Sequence, residues 1–225
     1  MGKKSHKPEL IPAPRGERYT ELLAITAAAA PWIGGPISGI IGGVATDLKI
    51  KRVTQFIKDV LAHVENLHSK ESEDFVRTED FADIFDKTAQ AVADERYETK
   101  RKLFSNYILK NISAPEISYQ LRLQCLRLLE NINTQHLDLL EALLRQPTAT
   151  EMNMSIGAPS TTIERRAPHL RANLTAIIHE TNTQGLTNIE GNYLNTNMTG
   201  GGAANLAHAV TPLGRNLIAF ITRDE

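Results

Sequence analysis

Between Leu22 and Thr46 the chain runs for 25 residues without a charge, as LLAITAAAAPWIGGPISGIIGGVAT, and no other feature restricts its folding options so tightly. A helix of roughly 20 apolar residues spans a bilayer, so length alone permits a transmembrane reading. Composition works against a plain one. Five glycines and the two prolines Pro31 and Pro36 weaken a helix or kink it. The spacing Gly35-x-x-x-Gly39-x-x-x-Gly43 places three small residues on one helix face, where close backbone approach drives helix association in lipid. Trp32 lies where an interfacial aromatic sits, and Ile40 and Ile41 supply apolar bulk beside the glycines. Two readings stand. The segment is a small-residue core helix or loop inside a soluble bundle, or it inserts and oligomerises through Trp32, Gly35, Gly39, Ile40, Ile41 and Gly43. The second is favoured, because such a charge-free run is long for a soluble loop.

Basic residues flank the segment. Residues 1–18 hold three prolines and five basic residues, and predict a flexible arm whose Lys3, Lys4 and Lys7 would attract anionic lipid by about 1 kcal/mol each. Lys49, Lys51 and Arg52 follow the segment and are expected to face lipid headgroups. With basic residues on both sides, charge bias assigns no orientation.

Beyond Thr46 the periodicity is helical. Val53, Ile57, Val60, Val64 and Leu67 recur at steps of four and three, widened by Phe56 and Leu61. Thr78 is the expected N-cap of a helix carrying Phe81, Ile84, Phe85, Ala89 and Val92. A further helix is expected over about 94–112, closed by Ser113-Ala114-Pro115. Together these give an N-terminal helical bundle over 19–113, with the apolar segment 22–46 inside it.

The second half, 114–225, predicts helices near 116–131 and 134–145, the latter capped by Asn133 or Thr134. A long loop is expected over 146–168, then a helix near 168–182. Two short strands at Gly185–Ile189 and Leu206–Val210 would flank a Gly/Asn-rich tip, and a last helix starts at Thr211-Pro212. This order is that of a winged helix. The fold class is therefore mainly α, a helical bundle followed by a winged-helix-like α/β domain. Duplex DNA contact would rest on Arg165, Arg166 and Arg171. The expected wing carries no Lys or Arg, and phosphate contacts dominate such affinity, so a protein-contacting or sensing role fits better.

Composition excludes more than it assigns. A net charge of −1 provides no field to recruit nucleic acid or membrane globally. The single cysteine, Cys125, rules out an intrachain disulfide and reads as a buried inert thiol of a reducing compartment. The seven histidines form no HExxH or Cys/His set, no P-loop follows the glycines, and GxSxG is absent. Asp80, Asp83 and Asp86 read as a solvated strip. No catalytic residue, cofactor or metal is expected, and the chain is read as no enzyme.

The run Ile33-Gly34-Gly35-Pro36-Ile37-Ser38-Gly39-Ile40-Ile41-Gly42-Gly43, then Lys51-Arg52 and bundle helices to Ile112, resembles the HeLo and Bell-like domains of microbial immunity and cell-death effectors. Glu95 to Phe104 and Tyr107 to Asn111 look like bacterial proteins of that architecture. Thr211-Pro212-Leu213-Gly214-Arg215 is similar to the close of winged-helix modules and to the tails of abortive-infection alpha-type proteins. The resemblance implies a pore-forming defence effector, cytoplasmic with inner-membrane association. Its partners would be membrane lipid, further copies of itself and a trigger sensed by the C-terminal domain. The alternative is a soluble winged-helix DNA-binding regulator or adaptor.

Overall fold

A computed structural model describes residues 46–64, 70–153, 158–191, 194 and 205–222. Residues 1–45, with the arm, nearly all of the apolar segment, and the sites at Lys3, Lys4, Lys7, Trp32, Gly35, Gly39, Ile40, Ile41 and Gly43, lie outside them. The described chain is mainly helical and divides into two compact units, at Asp94/Glu95.

In the first unit, α1 (Asp47–Val64), α2 (Lys70–Val76) and α3 (Glu79–Asp94) follow in order. Thr46 sets the start of α1: its carbonyl accepts from Ile50 N–H at 3.0 Å and its Oγ1 from Lys49 N–H. Of the expected stripe, Val53, Phe56, Ile57 and Val60 are buried and Leu61 is half-buried, while Leu67 and the Val64 side chain lie outside the described residues. Ile50, Val53, Phe56, Ile57 and Val60 are all covered, and α1 packs on α3, whose Phe81, Ile84, Phe85, Ala89 and Val92 are fully buried. Rings knit the two helices and α2: Phe56 to Phe85 at 5.6 Å, Phe81 to Phe85 at 5.7 Å, and Phe75 edge-on to Phe81 at 5.5 Å. Thr78 caps α3 as expected, Oγ1 accepting from Phe81 N–H at 3.2 Å.

The second unit holds α4 (Glu98–Ser113), α5 (Tyr119–Asn131), α6 (Thr134–Leu144), α7 (Ala149–Asn153), α8 (Pro159–Arg166), a 3-10 turn at Pro168–Leu170, α9 (Leu174–Thr183), a second 3-10 turn at Leu206–Ala209, and α10 (Pro212–Ile221). The last helix is its hub. Leu217, Phe220 and Ile221 are buried as α10 packs on α4, α5 and α6, with Phe220 5.5 Å from Tyr107. Thr211 caps α10 with Pro212 in the first turn, as the sequence predicts.

Four expectations need correction. The boundary expected near residue 114 differs from the observed division, since α4 belongs to the second unit and packs there on α10. The helix expected from about residue 94 starts only at Glu98, leaving Tyr97 73% exposed. The long loop over 146–168 contains α7 and α8. Thr148 and Glu151 form a reciprocal cap, each side chain accepting from the other's backbone N–H, which starts a helix in an otherwise unpromising stretch.

The last concerns the hairpin. Leu206–Ala209 is a 3-10 turn, and among the described residues the pairing is one antiparallel bridge, Thr187 to Val210. Side chains satisfy the backbone that a ladder would have paired: Asn182 donates to Ile189 O at 2.7 Å and accepts from Ile189 N–H at 3.0 Å, and Thr211 Oγ1 donates to Gly185 O at 2.7 Å. Gly214 lies so close to this turn that a Cβ there would meet Leu186 O at 2.4 Å.

Candidate functional site

Of the basic residues expected to face lipid, two point into the first unit. Lys49 Nζ pairs with Asp94 Oδ1 at 2.5 Å, and Arg52 Nη1 donates to Ala93 O at 2.8 Å, so both serve the C-terminal end of α3. Lys51 lies on the exposed side of α1. No helix among the described residues is long and apolar enough to cross a membrane.

The three arginines proposed for DNA do not form one surface. Arg166 is 2% exposed at its side chain. It holds Glu151 in a bidentate pair at 3.0 and 3.1 Å, and donates through Nη1 to Ala142 O at 2.7 Å and Arg145 O at 2.9 Å. It thus closes the C-terminal end of α6 and anchors α7 to it. Hydrogen bonding to Arg166 holds the Glu151 carboxyl far below the usual carboxylate range, at about 2. Arg171 is exposed and 3.4 Å from Glu164, and Arg165 is exposed. The helix expected near 168–182 to enter a major groove begins only at Leu174, after Arg171, so α9 carries no Lys or Arg.

Sequence reasoning missed a heavily bonded buried side chain, Arg122. At 1% exposure it donates to Ile117 O (2.8 Å), Asn111 O (2.8 Å), Asn111 Oδ1 (2.7 Å), Ala114 O (2.8 Å) and Pro115 O (3.0 Å). These oxygens lie at and just beyond the C-terminal end of α4, where the helix dipole is negative and the last carbonyls lack intrahelical partners. Tyr107 Oη closes the cluster by donating to Arg122 O at 2.8 Å, and burial pushes its phenol well above the ordinary range.

His136 is 2% exposed. Asn133 N–H donates to its Nδ1 at 3.0 Å, which places the ring proton on Nε2, facing Glu180 Oε2 at 2.7 Å. With His136 N–H donating to Asn133 Oδ1 at 3.2 Å, the ring completes the cap of α6. Both nitrogens are engaged, so this imidazole bridges α6 to α9 and has no lone pair for a metal or a substrate proton. His169 makes a second, exposed pair with Asp138 at 2.7 Å.

Among the described residues, groups suited to acid–base or nucleophilic chemistry lie apart from one another. Burial raises the Glu130 and Glu141 carboxyls, Asp138 adding to the effect at Glu141. The Cys125 thiol is pushed up to about 12 by burial and is inert, as its apolar surroundings in sequence imply. Among the described residues no group of three His, Cys, Asp or Glu could hold a metal ion. The polar network of the second unit is architectural: Arg122, His136, Glu151 and Arg166 each close a helix end.

Compared with protein-family models, with curated proteins and with solved structures, the chain matches none.

Proposed function

We propose that the chain is a non-catalytic, membrane-perturbing effector of bacterial or phage defence type, in which residues 22–46 insert and self-associate and the second unit receives the trigger. The observation that carries this reading is the uncharged 25-residue stretch with glycines at 35, 39 and 43. The structure adds two supports. The helix that follows the segment, α1, buries its apolar face on α3. The competing DNA reading loses Arg166 to Glu151 and finds no Lys or Arg on α9.

The driving force is differential. A two-state segment moves to lipid when glycine-face packing and apolar burial there outweigh its resting contacts. Cell fractionation tests the proposal. The native protein should pellet with inner membranes and stay there through a 1 M salt wash (a step of roughly 3 Å Debye length), because apolar insertion is not screened. Full recovery in the soluble fraction after triggering would remove the reading.

A further inference from the structure

His136 is the third residue of α6, the place a Glu or Gln takes in a capping box, where its oxygen accepts from the backbone N–H of the cap residue. Here an imidazole does that work. Its Nδ1 accepts from Asn133 N–H at 3.0 Å, while Asn133 Oδ1 accepts from His136 N–H at 3.2 Å. An amide oxygen accepts at any pH, but a ring nitrogen ceases to accept once it is protonated. Nε2 already carries the ring's proton, directed at Glu180 Oε2 at 2.7 Å. A second proton therefore has one place to go, the nitrogen that holds the cap.

We infer that the start of α6 is an acid-sensitive latch, in which proton uptake at His136 Nδ1 releases Asn133 N–H and opens the first turn while the ring stays tied to Glu180. Cap and second proton exclude each other, because two N–H groups would otherwise face one another at hydrogen-bond distance. The charged ring also meets the positive end of the α6 dipole, which pushes it away from the helix start. Glu180 on α9 pulls the other way. Its side chain is 56% exposed, so water screens that attraction, but it keeps the ring on α9 after the cap has gone. Other charges on the elements packed against α6 are engaged elsewhere. Arg166 of α8 holds Glu151 and the far end of α6, and Glu164 lies beside Arg171. His169 of the first 3-10 turn pairs with Asp138, and Arg215 of α10 donates to Ala207 O. Glu141, Arg165, His179 and His208 are exposed. Opening reaches the corner between α5 and α6, where Ile132 and Leu137 are buried on either side of the cap. Imidazole is the side chain that ordinarily changes charge between about pH 5 and 8, so the latch works in the range a cell can impose.

Nitrogen NMR of the imidazole and hydrogen exchange of the Asn133 amide, both on the full chain from about pH 8 to about pH 5, test the latch. As the ring takes up its proton, the protection factor of that amide should fall about tenfold, the factor equivalent to one lost hydrogen bond. His136→Gln keeps an acceptor at the same position and does not titrate, so its Asn133 amide should stay equally protected throughout. Glu180→Gln should move the loss of protection to lower pH, because the charged ring is then without its counter-charge. Circular dichroism at the upper end of the range confirms that both variants are folded. Undiminished protection once the ring is doubly protonated would overturn the latch. So would a ring that stays neutral to the lower end of the range, or the same loss of protection in folded His136→Gln. None of these outcomes depends on residues 22–46, so the latch is tested apart from the membrane reading.

Discussion

Replacing Arg122 with methionine should cost the second unit at least about 4 kcal/mol, enough to unfold it or lower its melting temperature by more than about 10 °C. Methionine keeps an unbranched apolar stem reaching about as far as arginine's Nε, but it has no donor. The oxygens of Asn111, Ala114, Pro115 and Ile117 would then stay in place with their partner gone, and buried acceptors left unsatisfied cost about 1–3 kcal/mol apiece. Partial entry of water brings the sum down to the figure given. Arg122→Lys should recover about half the loss, because an ammonium keeps the charge at the end of α4 but cannot reach oxygens spread around a planar fork. Chemical denaturation of the three forms measures this. A methionine variant as stable as the unaltered chain would mean that Arg122 is packed filler.

Acid should loosen the Glu151–Arg166 pair over a defined window. Glu151 has its carboxyl lowered from an ordinary 4.5 to about 2 in the folded chain, so its contribution to stability is complete above pH 4.5. As pH falls from 4.5 toward 2 the unfolded chain takes up the proton more readily than the folded one, and the contribution disappears. Glu151→Gln should remove that part of the acid dependence at once. It should also cost about 3 kcal/mol at neutral pH, since it leaves the Arg166 cation buried without its counter-charge. Denaturation midpoints between pH 2 and 7 for both forms supply the check. Parallel curves would assign the acid response to other carboxylates.

The helices that were legible in the sequence are those whose faces are regular. The stripe of α1, the Thr78 cap of α3, Asn133 before α6 and Thr211-Pro212 before α10 each follow from local chemistry that tertiary contacts reinforce. The short helices α7 and α8 were obscured by Pro, Ser and Thr, although Thr148 and Glu151 stand at capping-box spacing and could have been noticed. Alternation at Gly185–Ile189 and Leu206–Val210 suggested strands, but side-chain bonds from Asn182 and Thr211 satisfy that backbone instead.

The site residues divided along a different line. Arg166 and Arg122 look like ordinary solvent-facing arginines in sequence, because helical spacing does not reveal which helix end another chain segment will bring beside them. Lys49 and Arg52 read as lipid-facing for the same reason: charge next to an apolar run is the same pattern whether its partner is a phosphate or the last carbonyl of α3.

The central claim concerns residues 22–46, and membrane potential tests it most directly. Cells expressing the full chain should depolarise within minutes of triggering, as reported by a voltage-sensitive dye. Gly39→Leu should hold the potential at its resting value, since a leucine on the glycine face blocks close helix approach without reducing hydrophobicity. A resting potential in triggered cells carrying the unaltered chain, or equal depolarisation by Gly39→Leu, would contradict the account.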